Sequence, residues 1–221
     1  MSEVSDHRAR RQRLRARLDE AGLDALLVTA PANVRWCSGF SGSNGQVLLR
    51  ADGKDVLITD GRYELRAAQE TPDLACVLQR DPVTVALGRL TPPFRLGFES
   101  EHLTWTAGTQ LRERAIDAGG IGVPTTGHVE ALRLVKDKHE LALLRRACEI
   151  TLSSLIWLLE EHVVPGVTEA QLARLLENRM VDLGAEAPAF DSIVASGPNA
   201  AIPHNAPGQR ELQDGDMITI D

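Results

Sequence analysis

The sequence predicts a mixed α/β fold in two parts, and three observations carry that prediction. Short apolar runs of strand length alternate with helix-period stretches through residues 7–116. A glycine-rich stretch at 117–127 breaks the pattern, and two leucine-rich segments with N-terminal capping signals follow it. Beyond residue 190 the chain returns to strand-length apolar runs, now separated by a loop rich in Gly, Pro and Asn.

Leu14, Leu18 and Ala21 place an apolar stripe at helical spacing on a first helix, and Arg8, Arg10, Arg11, Arg13, Arg15 and Arg17 read as its solvated face. Asp24–Thr29 is an apolar strand closed by Pro31. Gln46–Arg50 and Asp55–Thr59 flank 51–54, where Asp52-Gly53 is a hairpin turn signal. Leu74–Leu78 and Arg95–Phe98 supply further strands, while 83–90 and 104–118 read as helices. The expectation is a mixed sheet covered by helices.

The domain boundary falls in 117–127, and 129–135 reads as a strand leading into a second domain, so the expected division is 1–128 and 129–221. Asp137 and Glu140 have capping-box spacing ahead of a helix with Leu141, Leu144, Cys148, Leu152, Leu155, Leu158 and Leu159 on a broad apolar face. Pro165-Gly166 stops that helix. Thr168 and Gln171 form a second box, opening a helix that carries Leu172, Leu175, Leu176 and Met180 and ends at Gly184. Both stripes are core-forming and carry no chemistry. Asp191–Ala195 is then a short strand, and Asp214-Gly215-Asp216 turns into the apolar run Met217–Ile220.

Composition narrows the function classes. With 221 residues and 43% hydrophobic residues, the chain can build one large or two small cores, and aromatics at 4% leave those cores to Leu, Val, Ala and Ile. A net charge of −7 argues against a nucleic-acid partner, which needs a basic surface. Cys37, Cys76 and Cys148 are widely spaced, without a CxxC pair, and read as reduced, mostly buried thiols of a cytosolic protein. The N-terminal arginines precede no apolar segment of a secretory signal, and no run reaches membrane-span length, so the expectation is cytoplasmic, with no membrane partner.

The candidate functional residues lie on loops and strand ends. His204 sits in the Pro- and Asn-rich loop, and Asp221 ends the last apolar run, where a carboxylate can be aimed into a cleft. Arg62 follows an Asp-Gly turn at the end of a strand. Each has a bland alternative: a solvated loop histidine, a solvated terminal aspartate and a surface ion pair.

Phe190, Ile193–Gly197, Asn199, Pro203-His204, Gly215-Asp216 and Ile218–Asp221 together resemble the creatinase/methionine-aminopeptidase family, whose catalytic domain is the pita-bread α+β fold. Gly22–Gly45, Asp60–Tyr63 and Leu96–Glu99 are similar to the creatinase-type N-terminal domain, so the resemblance spans nearly the whole chain. It implies a metal-dependent Xaa-Pro aminopeptidase or dipeptidase, acting on peptides with proline at the second position and assembling as a homodimer. It also implies two divalent ions, Mn²⁺ or Co²⁺, bound by two Asp, one His and two Glu. Asp221 falls on the first of those ligands, and His204 on a cleft histidine that hydrogen-bonds substrate. Arg62 would meet the far end of the peptide. The other four ligands have no counterpart in these residues, so the site is expected to be incomplete in this chain, which is then inactive by itself. The same fold also hosts a metal-free creatinase-like amidinohydrolase chemistry and non-catalytic protein-binding modules.

Overall fold

The computed structural model describes residues 6–221. The chain divides after Asp137 into two compact units. In the first, β1 (Ala25–Val28), β2 (Gly45–Arg50), β3 (Val56–Thr59), β4 (Ala75–Leu78), β5 (Arg95–Glu99) and β6 (Ile121–Thr125) form one sheet in the order β4-β3-β2-β1-β5-β6. β2 runs antiparallel to β1 and β3, and the other neighbours pair in parallel. All four residues of β1 and of β3 are buried, because helices cover both faces of the sheet. On one side, Leu26, Val28, Val47 and Leu57 pack with side chains of α1 (His7–Glu20), α2 (Pro31–Ser38), α3 (Glu64–Glu70) and α6 (His128–Arg133). On the other, Ala25, Leu27, Leu48 and Ile58 pack with α4 (Pro82–Leu87) and α5 (Trp105–Asp117). This alternation of inward and outward residues is the pleat of the strands expressed as two cores.

Arg10 and Arg11 are buried, not solvated. The C-terminal end of α2 leaves carbonyls without intrahelical partners. Arg10 donates to Trp36 O at 3.3 Å and Arg11 to Cys37 O at 2.9 Å, and both guanidiniums also pair with carboxylates, at Asp137 and Asp73. The segment 129–135 does not form a strand: α6 occupies most of it, with Val129 in the first unit's core beside α1. The glycine-rich break is not simply a linker, because 121–125 is the edge strand β6. Its glycines answer to packing, since a Cβ on Gly120 would lie 2.3 Å from the Phe94 ring and one on Gly122 3.0 Å from the Arg112 backbone. Helices α2 and α3 were not foreseen. Of the thiols only Cys37 is buried, and Cys76 and Cys148 are exposed.

The second unit holds α7 (Lys138–Glu161), α8 (Glu169–Asp182) and a two-stranded antiparallel ladder of β7 (Val194–Ser196) and β8 (Ile218–Ile220). The capping box at α8 forms reciprocally: Gln171 N–H donates to Thr168 Oγ at 3.2 Å and Thr168 N–H to Gln171 Oε1 at 2.9 Å. Leu158, Leu172, Ala173, Leu176, Val194 and Leu212 make the core. The α7 stripe is core only in part: Ile150 and Leu158 are buried, whereas Leu141, Leu144, Leu152 and Leu159 are exposed.

Candidate functional site

The β7–β8 ladder runs one residue beyond both strands. Ile193 N–H donates to Asp221 O at 2.7 Å and Asp221 N–H to Ile193 O at 2.9 Å. The backbone of Asp221 is thereby fixed while its side chain stays exposed. The chain between the two strands starts with a short 3₁₀ turn, Gly197–Ala201, and carries His204 beyond it. His204 is exposed and has φ 58°, a left-handed conformation unusual for a residue with a Cβ. His204 and Asp221 line one cleft of about 580 Å³, together with Phe190, Ile193, Asn205 and Pro207.

An ion-pair network underlies the loop. Arg210 donates to both carboxylate oxygens of Asp216, at 2.6 and 2.9 Å, and to Ser196 Oγ at 2.6 Å. The guanidinium holds the Asp216 carboxyl below its usual range, helped by the Gln213 N–H. Gly197 permits this approach, because a Cβ there would sit 2.5 Å from both Arg210 and Asp216.

In the first unit, Arg62 lies on a 3₁₀ turn, Gly61–Tyr63, directly after β3. Its Nε and Nη2 donate to the two carboxylate oxygens of Asp60, each at 2.9 Å, and Asn44 donates to the same carboxylate at 2.6 Å. The Arg62 hydrogen bond, followed by that from Asn44, holds the Asp60 carboxyl far below the ordinary range. The Arg62 guanidinium stands 5.5 Å from the Tyr63 ring centroid, and its side chain is 72% exposed.

The model of the creatinase/prolidase N-terminal domain matches residues 10–135, and that of metallopeptidase family M24 matches 142–221. The chain belongs to the creatinase/prolidase family. An uncharacterized peptidase of Bacillus subtilis is 32% identical over 213 residues, covering 95% of this chain and 59% of that protein. The solved Xaa-Pro dipeptidase of Bacillus anthracis superposes with a TM-score of 0.86 at 32% identity, over 98% of this chain and 60% of that one. The solved X-Pro aminopeptidase of Thermotoga maritima gives 0.81, also at 32% identity, over 96% and 60%. This creatinase/prolidase chain therefore spans about 59% of the length of the B. subtilis relative.

Metallopeptidase chemistry needs a nest of oxygen and nitrogen donors. Among the described residues no three His, Cys, Asp or Glu side chains gather where they could hold an ion. The donor set at Asp221 therefore does not fit a metal centre within these residues. Sequence reading also passed over Glu169, whose carboxylate is buried beside Ser196, Asn199 and Gly208. A Glu in the first turn of a helix is common for dipole reasons alone, so its residue type carried no signal.

Proposed function

We propose that the protein is a metal-dependent Xaa-Pro peptidase, an aminopeptidase or a dipeptidase, hydrolysing the bond before proline. The observation that carries this reading is the juxtaposition of His204 and Asp221 on one cleft at the end of the β7–β8 ladder. In this reading, Asp221 would be one donor to divalent ions, Mn²⁺ or Co²⁺, whose chemistry when bound would be that of a Lewis acid. His204 donates a hydrogen bond to the substrate oxygen as its carbon becomes tetrahedral, a contact stronger in the transition state than in the ground state. The exposed Phe190 offers an apolar wall to a proline ring. Arg62, exposed although paired with Asp60, is assigned to the far end of the peptide. Identity to the dipeptidase and to the aminopeptidase is the same, 32%, so both substrate lengths are kept. A cytoplasmic homodimer completes the proposal. Among the described residues no helix is long and apolar enough to cross a membrane.

The experiment compares Ala-Pro with Ala-Pro-Ala as substrates for the expressed gene product with Mn²⁺ or Co²⁺ added. Cleavage confined to Xaa-Pro bonds and abolished by chelator is expected. His204→Ala should lower kcat about 10²-fold with metal content unchanged, the effect of losing one transition-state hydrogen bond. Absence of any Xaa-Pro cleavage, or loss of metal in the His204 variant, would refute the assignment.

A further inference from the structure

We propose that Glu169 is the positioning residue of this site: its carboxylate clamps both ends of the loop that presents His204 to the cleft. The inference rests on the reading of His204 given above. Glu169 opens α8 and is 0% exposed. Its Oε1 accepts from Ser196 N–H at 2.7 Å, Ser196 Oγ at 2.8 Å and Asn199 Nδ2 at 3.0 Å. Its Oε2 accepts from Gly208 N–H at 3.1 Å and from Asn199 Nδ2 at 3.2 Å. Ser196 and Asn199 precede His204 and Gly208 follows it, so one side chain fastens the loop on both sides of the histidine.

The start of α8 reinforces the clamp. First-turn amides have no partners inside their own helix. Here Glu169 N–H donates to Arg210 O at 3.1 Å and Ala170 N–H to Gly208 O at 3.0 Å, which ties the returning limb of the loop to the helix. Ser196 Oγ, bonded to Glu169, also accepts from Arg210, which pairs with Asp216. A left-handed histidine costs energy and persists only where its surroundings over-determine it. A buried carboxylate is costly too, unless its lone pairs are filled. An ionised carboxylate has the acceptor capacity to gather these donors, which a hydroxyl lacks. Burial by itself would raise the Glu169 pKa, but the hydrogen bonds from Asn199, Ser196 and Gly208 outweigh it and leave the pKa below the ordinary value.

Glu169→Gln tests the clamp, because it keeps the shape and turns one acceptor into an amide that faces a donor. In the 221-residue chain, backbone hydrogen exchange at Ser196 and Gly208 should quicken by about 10-fold or more, with α7 amides unchanged. Unchanged exchange at both amides would overturn the proposal, as would loss of protection throughout residues 138–221 together. In a catalytically competent gene product, Glu169→Gln should lower kcat about 10-fold at constant KM, and add nothing in a His204→Ala background. A purely structural role would give additive losses in that cycle, which overturns positioning through His204. If Glu169→Gln fails to fold, Asn199→Ala removes a single donor from the same carboxylate. It should speed exchange at Ile202, whose N–H donates to Asn199 O, and at Gly208; no change at either position overturns the clamp. Full turnover by His204→Ala alone would remove the site reading instead, and the exchange measurement still decides the clamp separately.

Discussion

Replacing His204 by glycine should leave the second unit as stable as it is now, or more so, while removing the proposed chemistry. The left-handed backbone at φ 58° costs a residue with a Cβ about 1–2 kcal/mol, somewhat less for histidine, which tolerates this region better than most. Glycine removes that cost but brings about 0.5–1 kcal/mol of extra chain entropy in the unfolded state. The imidazole is exposed, so its loss forfeits little buried area. The balance is a gain of about 0–1 kcal/mol for His204→Gly. His204→Ala keeps the strained backbone without the tolerance of histidine, and should lose about 0.5 kcal/mol. Native-state hydrogen exchange at the Leu172 and Leu176 amides, in the core helix α8, reads the unit directly. A glycine variant less stable than the parent by more than about 1 kcal/mol would refute the reasoning. It would mean that the imidazole is held by contacts that stabilise the fold, and that strain at this position says nothing about function.

Other outcomes follow from the same geometry. Glu99→Ala should cost the first unit about 3 kcal/mol or more in urea unfolding, because the carboxylate accepts from Thr29 N–H, Ala30 N–H and Asn33 Nδ2 at 2.6–2.7 Å. Calorimetric titration of the 221-residue chain with Mn²⁺ should give millimolar or weaker binding, since these residues assemble no donor set; sub-micromolar binding would overturn this. The second unit should lose stability in acid. Glu169 has a folded pKa below its unfolded value, so between the two the unfolded chain binds more protons and stability rises with pH. Its contribution is complete above the unfolded glutamate pKa of about 4.3 and disappears as pH falls through the lower folded value. Glu169→Gln should flatten that limb of the pH profile, and an unaltered profile would show that the carboxylate is not the group responsible.

Residue chemistry acting over a few positions was legible in the sequence. Thr168 and Gln171 form the capping box their spacing announces, 51–54 is the turn between β2 and β3, and Leu14 and Leu18 point α1 into a core. The apolar runs within 24–29 and 55–59 marked strands, and the structure buries β1 and β3 on both sides. His204 and Asp221 were singled out because they stand in an ordered pattern of matched residues, and the structure places both on one cleft. Long-range partners were decided only by the tertiary structure. Gly120 and Gly122 look like linker glycines until the Phe94 ring and the Arg112 backbone are brought against them. Arg10 and Arg11 look solvated until α2 ends beside them with carbonyls that have no partner inside the helix. Glu169 looks like an ordinary first-turn acid until Ser196, Asn199 and Gly208 converge on it from a loop 27 to 39 residues away. Propensity, capping and turn chemistry are written within one turn or one strand. The value of a buried charge, or of a missing side chain, depends on which atoms the fold places opposite it.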